Sequence, residues 1–202
     1  MFRKIEPTKT GTAGQYAKYS DYKGVLMKDF NGNCGYCNDN HGYTGGWRGM
    51  QIDHFAPRTP FDELEHDYDN LVYSCFYCNN AKSNDWVTAV AENSISDDGN
   101  SGYIHPREKE YAELFERSTK GSIIPKNELG FYIYTNLNLG LLRHEIIHTM
   151  EKIFEVVKKI NKALDENNIS VEISNLLKEN RDKLLNKKFA LEVQFREIIN
   201  AR

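Results

Sequence analysis

The chain is poor in cysteine, in basic charge and in long apolar runs. It has 4 cysteines in 202 residues, and its formal net charge at pH 7 is -3. No apolar run approaches the length that crosses a bilayer, and the first residues lack the apolar core of a signal peptide. We therefore expect a cytoplasmic protein without a membrane partner, in a compartment that keeps thiols reduced.

The missing basic excess argues against nucleic-acid binding over the whole surface. A strongly basic domain would support phosphate binding electrostatically, and a net charge of -3 does not. A nucleic-acid site would then be a local basic patch, or a partner would complete it. A bound metal ion could also carry the positive charge.

The few cysteines form a pattern typical of a metal site. They occur as two CxxC pairs, Cys34-Gly-Tyr-Cys37 and Cys75-Phe-Tyr-Cys78. Two such pairs supply the four thiolates of a closed, tetrahedral and structural Zn²⁺ site. The zinc would stabilise a motif with too little apolar surface to be stable alone. Free buried thiols and disulfides are the alternatives.

The apolar pattern predicts short elements around these pairs. Apolar residues recur at near-helical spacing over residues 15–30, which predicts an N-terminal helix. Residues 41–49 are rich in glycine and predict a loop. Residues 51–55 and 71–74 are typical of short strands, and a short helix is expected to start at residues 79–82.

The second half of the chain is predicted to be helical. The run at residues 94–102 indicates a linker between residues 1–93 and 103–202. A helix is expected over residues 106–117, with a turn or extended piece at residues 121–125. The fold class is therefore α+β and mainly helical.

Two long helices are predicted at the end of the chain, over residues 137–167 and 171–201. Apolar stripes run along both, and Asn167-Asn168 lies between them. The pair packs as an antiparallel hairpin on itself and the core, or it offers a surface to a partner or a second copy.

The residues between and after the cysteine pairs carry the chemistry. An Asp53-His54 dipeptide lies between the pairs, Asn70 precedes the second pair, and Asn79 follows Cys78 directly. This order resembles the HNH endonuclease family over residues 34–84, about a quarter of the chain. The resemblance implies a ββα-metal core, in which two strands and a helix surround one divalent ion.

The resemblance also assigns roles. It implies that His54 is the general base and that Asp53 is a ligand of a catalytic Mg²⁺ or Mn²⁺ ion. Asn79 is the expected second ligand of this ion, and Asn80 is the alternative. Asn70 is expected to hold the loop and the orientation of His54 by hydrogen bonds. A set of oxygen ligands favours Mg²⁺ or Mn²⁺ over softer ions.

The residue types are suited to phosphodiester cleavage on chemical grounds alone, independently of the resemblance to the family. An imidazole near its ordinary pKa can activate water, and a divalent ion on hard oxygen ligands stabilises developing negative charge. Neighbouring strand residues point to opposite faces, so Asp53 and His54 need a twist or irregularity at the strand end. The structural alternatives are a satisfied histidine for His54 and a helix N-cap for Asn79.

Two basic residues, Lys82 and Arg58, are candidates for phosphate contacts, with solvated surface charge as the alternative. Downstream, His144-Glu145-Ile146-Ile147-His148 matches the HExxH pattern of zinc metallopeptidases. Its context is weak, because the third-ligand candidates Glu166 and Glu172 lie near an expected turn. We expect these histidines to be polar residues of a packed helix.

The stretch at residues 103–143 resembles the extension of HNH proteins in bacterial defence operons, including Septu-type and retron-type systems. That resemblance implies an ATPase partner docked on the C-terminal helices, or self-association through them. A stand-alone or mobile-element nuclease is the competing context.

The sequence thus predicts a metal-dependent HNH endonuclease that cleaves DNA, with RNA as an open possibility. The products would carry a 5′-phosphate and a 3′-hydroxyl. The competing hypothesis is a zinc-ribbon scaffold or nucleic-acid-binding protein without catalysis.

Overall fold

The N-terminal helix is shorter than its apolar spacing predicts. In the computed structural model, which describes residues 1–9, 16–88, 95–166 and 169–200, a 3₁₀ turn at Tyr19–Tyr22 leads into helix α1, Lys23–Asp29. Tyr16 lies before the helix and is exposed, and the predicted first residue, Gln15, lies outside the described residues. The apolar spacing extends past the helix because Phe30 lies in the turn that follows α1 and its side chain is buried in the core.

The segment between the cysteine pairs forms a two-stranded antiparallel sheet followed by a helix. A short helix α2, Gly46–Gly49, lies in the predicted loop and precedes strand β1, Met50–His54. Strand β2, Leu71–Cys75, pairs with β1 so that Asp53 lies opposite Val72. Helix α3, Phe76–Lys82, starts directly after β2. This is the ββα arrangement that the resemblance implies.

The predicted linker is a β-hairpin over its described residues. Strand β3, Ile95–Asp97, pairs with β4, Gly102–Ile104; Ser94 lies outside the described residues. The linker interpretation was wrong because a polar, glycine-rich sequence is equally suited to a tight turn between paired strands.

The helix predicted over residues 106–117 is also corrected. Helix α4 occupies only Lys109–Glu113, and strand β5, Phe115–Arg117, follows it and pairs with β6, Ile123–Pro125. The apolar residues at the end of the predicted helix fit either period, and the pairing with β6 decides between them.

Helix α5, Glu128–Asn136, is missing from the sequence prediction. Its N-cap is Asn127, whose side chain accepts a hydrogen bond from the Gly130 amide at 2.8 Å. The aromatic and β-branched residues inside it have weak helix propensity. The next helix starts later than predicted, because Leu137 and Leu139 are buried in the turn after α5.

Buried side chains from these elements, except α2 and β3, form one core, which includes the four cysteines. Gly35 lies inside the first pair because a Cβ at this position would approach Val72 Cγ1 to 2.8 Å. The largest contributors to the core are aromatic or aliphatic: Phe2, Leu26, Phe30, Tyr36, Phe55, Leu71, Tyr73, Tyr103, Tyr111 and Ile133.

The chain divides into two units, Met1–His144 and Glu145–Arg202. Residues on both sides of the hairpin β3–β4 belong to the first unit. Helix α6, Leu142–Leu164, continues into the second unit, which also contains helix α7, Val171–Asn200. The predicted turn at Asn167-Asn168 lies outside the described residues.

The two long helices carry apolar residues as predicted, but differ in exposure. Ile146, Met150, Ile153 and Val157 of α6 are buried, whereas α7 has no buried residue among those described. No helix in the described part of the chain is both long enough and apolar enough to cross a bilayer.

Candidate functional site

The four cysteine sulfurs meet at one buried point. Cys34 and Cys37 lie in the turn after α1, Cys75 ends β2, and Cys78 lies in α3. The sulfurs lie within 4.8 Å of one another, and the Sγ atoms of Cys37 and Cys75 are 3.9 Å apart. Zn–S bonds of about 2.3 Å set a tetrahedron edge of about 3.8 Å, so the sulfurs fit one zinc ion and do not form a disulfide.

Backbone amides point at two of these sulfurs. The Cys75 amide donates to Cys34 Sγ at 3.3 Å, and the Asp39 amide donates to Cys37 Sγ at 3.5 Å. Burial raises the pKa of the Cys37 thiol well above its ordinary value. Four thiolates packed in this space therefore require a cation among them.

A buried ion-pair cluster next to the zinc site includes the first histidine of the HExxH pattern. Asp39 Oδ2 accepts hydrogen bonds from Arg143 Nη1 at 2.9 Å and from His144 Nδ1 at 2.8 Å. All three side chains are buried. His144 thus serves as a core partner of Asp39, as the packed-helix interpretation expects, and not as a protease ligand.

A second site lies at the end of β1, where a polar pocket of about 350 Å³ is open on one side. It combines residues from β1, from the loop after β1 and from α3. Its lining residues are Tyr19, Ile52, Asp53, His54, Pro57, Arg58, Asn79, Asn80, Ser83 and Asn84.

His54 is held by one hydrogen bond and one aromatic ring. Its Nε2 lies 2.9 Å from the Glu65 carbonyl oxygen, and its ring meets Tyr19 edge-on with centroids 4.8 Å apart. A carbonyl oxygen only accepts, so Nε2 carries the proton and Nδ1 keeps its lone pair. Burial lowers the pKa of His54 below its ordinary value. The imidazole is therefore neutral at pH 7, which is the form a general base needs.

Asp53 is held by two buried donors. Tyr36 Oη donates to Asp53 Oδ2 at 2.5 Å, and Lys82 Nζ lies 3.3 Å from the same oxygen. Burial raises the pKa of Asp53, and the Lys82 charge opposes that shift. Within the described residues Oδ1 receives no hydrogen bond, and the carboxylate lines the pocket. Oδ1 is thus the atom left for a ligand.

Asp53 and His54 leave the strand toward different neighbours, as adjacent strand residues do. Asp53 contacts Tyr36 and Lys82, whereas His54 contacts Glu65 and Tyr19. Both still line one pocket, because β1 ends at His54 and the pocket lies at that end.

Asn70 ties down the loop that carries the Glu65 carbonyl. Its side chain accepts from the Ala56 amide at 2.7 Å and donates to the carbonyls of Ala56 at 3.0 Å and Leu64 at 3.3 Å. The residue is fully buried. Asn70 thus holds the start of the loop after His54 and the residue that precedes Glu65.

Asn79 lies inside α3, and Cys75 is the N-cap of that helix, so the N-cap interpretation of Asn79 was wrong. Asn79 Nδ2 donates to Gln51 Oε1 at 2.7 Å. This contact uses the amide nitrogen, and the amide oxygen makes no hydrogen bond among the described residues. Asn80 lines the same pocket.

The two predicted phosphate contacts have different environments. Arg58 is exposed, lines the pocket and lies 3.3 Å from Glu65 Oε1. Lys82 is fully buried, and its ammonium donates to the His54 carbonyl at 2.9 Å besides contacting Asp53. Both hypotheses for Lys82, phosphate contact and solvated charge, are replaced by an internal ion pair.

Several residues of the site are absent from the sequence prediction. Tyr36 hydrogen-bonds to Asp53, and Gln51 hydrogen-bonds to Asn79. The Glu65 carbonyl and the Tyr19 ring both contact His54. One signal was available: Tyr36 lies between two cysteines expected to be buried, so its side chain was a candidate for the core.

Comparison with known proteins agrees with this geometry. Residues 34–85 match the family model described as HNH endonuclease. The matched range contains both cysteine pairs, both strands, α3 and Asn70. No curated protein and no solved structure matches the chain.

Proposed function

We propose that this chain, whose residues 34–85 form an HNH endonuclease domain, is a metal-dependent endonuclease that hydrolyses phosphodiester bonds of DNA. One observation carries the proposal: a neutral histidine, whose Nδ1 makes no hydrogen bond among the described residues, shares an open polar pocket with a carboxylate and an amide. A purely structural fold has no need to place these three groups at a solvent-open pocket.

The oxygen donors of the pocket fit a hard divalent ion. Asp53 Oδ1 and the Asn79 side-chain oxygen make no hydrogen bond among the described residues. Mg²⁺ and Mn²⁺ take few protein ligands of this kind and keep several waters. When bound, the ion would stabilise negative charge on the scissile phosphate and the leaving oxygen. Zn²⁺ would occupy the four-cysteine site.

The histidine performs the proton transfer. His54 Nδ1 takes a proton from a water molecule, and the water oxygen attacks phosphorus. The bond from phosphorus to the 3′ oxygen breaks, and that oxygen takes a proton from solvent. The products are a 5′-phosphate and a 3′-hydroxyl. The Glu65 carbonyl keeps the Nε2 proton in place and stabilises the imidazolium that forms.

Arg58 is the proposed phosphate contact. It is the one cationic side chain among the pocket-lining residues that is exposed, so it reaches a bound backbone phosphate by releasing Glu65. Phosphodiester chemistry is shared by DNA and RNA, so the substrate panel includes both.

The test is cleavage of supercoiled plasmid by the zinc-loaded protein with Mn²⁺, with Mg²⁺ and with EDTA. We expect metal-dependent nicking or linearisation. His54→Ala should reduce the rate about 10²- to 10⁴-fold, the usual contribution of a general base. End-labelling of the product should reveal a 5′-phosphate.

The matched control is His66→Ala. His66 is an exposed histidine that stacks on Tyr19, with centroids 6.3 Å apart, and does not line the pocket. It should keep wild-type activity. Equal cleavage by His54→Ala would remove His54 from the mechanism.

The scaffold hypothesis predicts a different result. A binding protein should bind nucleic acid equally well with and without Mg²⁺ and should cleave neither plasmid, single-stranded DNA nor RNA. Such an outcome would favour that hypothesis over catalysis.

The defence context stays a prediction from the resemblance, as do the ATPase partner and self-association. One observation supports a docking role for α7: it exposes apolar side chains, among them Leu176, Phe189 and Val193. Light scattering of the purified chain tests self-association directly.

A further inference from the structure

We propose that Tyr36 and Lys82 are positioning residues that clamp Oδ2 of Asp53, so that Oδ1 alone is presented to the divalent ion. Tyr36 thereby couples the zinc site to the catalytic-ion site. The inference rests on the proposed function, because it concerns the same carboxylate. It adds a role for a tyrosine inside the cysteine pair and for a lysine that the sequence left open between a phosphate contact and a solvated surface charge.

The two donors converge on one oxygen from different parts of the chain. Tyr36 comes from the first cysteine pair and Lys82 from the end of α3, and their contacts to Asp53 Oδ2 are 2.5 and 3.3 Å. A carboxylate bound at one oxygen by two fixed donors cannot rotate about its last torsion without breaking both contacts. Its two oxygens are thus no longer equivalent, and only Oδ1 is available.

Tyr36 is itself rigidly held. It is fully buried between Cys34 and Cys37, and its carbonyl accepts a hydrogen bond from Tyr111 Oη at 3.0 Å. Burial raises the pKa of Tyr36 well above its ordinary value, so the phenol stays protonated and donates. Zinc bound to the flanking cysteines would hold the Tyr36 backbone in place. The phenol, hydrogen-bonded to Asp53, would then hold the carboxylate in one orientation.

Lys82 completes the clamp and links it to the base. Its ammonium is fully buried and also donates to the His54 carbonyl at 2.9 Å. One side chain therefore holds the carboxylate of Asp53 and the backbone of His54 at a fixed separation. A flexible surface lysine could not set this geometry.

The clamp predicts weaker binding of the divalent ion when a donor is removed. Partners that hydrogen-bond to a metal ligand typically contribute 10- to 100-fold to metal affinity. Tyr36→Phe removes only the hydroxyl and keeps the ring in the core. We expect its affinity for Mn²⁺ to fall about 10-fold or more, with zinc content unchanged.

The experiment measures Mn²⁺ binding directly, without turnover. The zinc-loaded full chain is titrated with Mn²⁺, and free Mn²⁺ is followed by its electron paramagnetic resonance signal. Asp53→Asn defines the share of binding that depends on this carboxylate. Zinc is quantified by atomic absorption in every variant.

The matched control is Tyr73→Phe. Tyr73 is an equally buried tyrosine of the same core, but its hydroxyl pairs with His41 Nδ1 at 3.0 Å and not with Asp53. A loss of Mn²⁺ affinity in Tyr36→Phe that Tyr73→Phe does not show, at equal zinc content, would support the clamp.

Other outcomes overturn it in distinguishable ways. Equal Mn²⁺ affinity in wild type and Tyr36→Phe, with binding that Asp53→Asn abolishes, would reject the clamp and leave the proposed function standing. Binding that Asp53→Asn does not change would reject the ion site and the clamp together. A Tyr36→Phe variant that loses zinc or does not fold would make Tyr36 a structural residue.

Discussion

The four-cysteine cluster and the pocket are two sites of opposite character in one small domain. The four-cysteine site is closed: four buried soft ligands meet at one point, and backbone amides donate to two of the sulfurs. The pocket is open on one side and offers hard oxygen donors next to a neutral histidine. A closed ligand set holds a fold together, whereas an open one leaves room for water and substrate.

The two sites are built from adjacent residues of the same helix. Cys78 is buried on the inner side of α3, and the next residue, Asn79, is half-buried and lines the pocket. One step along a helix turns a side chain by about 100°, which is enough to separate the two functions. Removing zinc should therefore disturb both sites, whereas emptying the pocket should leave the zinc site intact.

The largest expected effect comes from breaking the closed site. Cys75→Ser should lose zinc and the fold of the first unit together, because zinc binding contributes about 10–16 kcal/mol in small zinc-dependent folds. Zinc content and far-ultraviolet circular dichroism measure the two losses. His54→Ala is the control, since it should keep zinc and the native spectrum. A folded, zinc-free Cys75→Ser would show that the core is stable without the metal.

The next largest effect is expected from removing Lys82, the buried cation that pairs with Asp53. Lys82→Met leaves the Asp53 carboxylate buried with Tyr36 alone, and losing one partner of a buried ion pair typically costs about 3–5 kcal/mol. Urea denaturation of the zinc-loaded protein measures the change. The double variant Lys82→Met with Asp53→Asn should recover most of it, because the uncompensated charge is gone.

The matched control for Lys82 is Lys109→Met. Lys109 pairs with Glu113 at 3.5 Å on the surface, where both side chains are largely exposed. Such a pair contributes about 0–1 kcal/mol, so this variant should be nearly neutral. Equal losses for the two variants would mean that the Lys82–Asp53 pair is not buried in solution.

The sequence predicted those features of the two sites that depend on residues close together in the chain. The cysteine pairs, the two strands and the pocket positions of Asp53, His54 and Asn79 follow from local motifs. The contact of Tyr36 with Asp53 does not, because it joins residues 17 positions apart through the fold. The small hairpins β3–β4 and β5–β6 were missed for a different reason: each of their strands has only three residues, and so short a segment fits a linker or a helix end as well as a strand.

Lys82 was misassigned because the predicted helix began at Asn79 and left Cys78 outside it, whereas α3 contains both residues. It lies four residues after Cys78, which places both on the same face of α3. Since Cys78 had to face the zinc, Lys82 had to face inward as well. The prediction treated the lysine by residue type rather than by helix position.

The protonation of His54, the proposed general base, should determine the pH dependence of cleavage. Burial lowers the pKa of His54, and a bound cation nearby would shift it in the same direction. His54 works as the neutral base, so kcat/KM should stay constant as pH falls to about 6.5, the ordinary histidine value, and decrease only below it. A pH–rate profile at saturating Mn²⁺ tests this, and an acid limb centred above that value would contradict the buried environment of the imidazole.

The smallest expected effect concerns the edge of the pocket. Ser83 ends α3 with a φ of 49° and a ψ of -128°, a conformation that L-residues rarely adopt. Its amide bonds to the Asn79 carbonyl at 2.9 Å, a contact that any residue except proline can make. Ser83→Gly should therefore stabilise the protein by about 1 kcal/mol, the lower end of what such strain costs.

The control for Ser83→Gly is Asn38→Gly. Asparagine tolerates the φ of 64° at this position, so the glycine variant should gain only a few tenths of a kcal/mol. If urea denaturation shows equal gains, the strain at Ser83 is not specific to the pocket edge. If Ser83→Gly gains more and also slows cleavage, the strained turn contributes to the geometry of the open site.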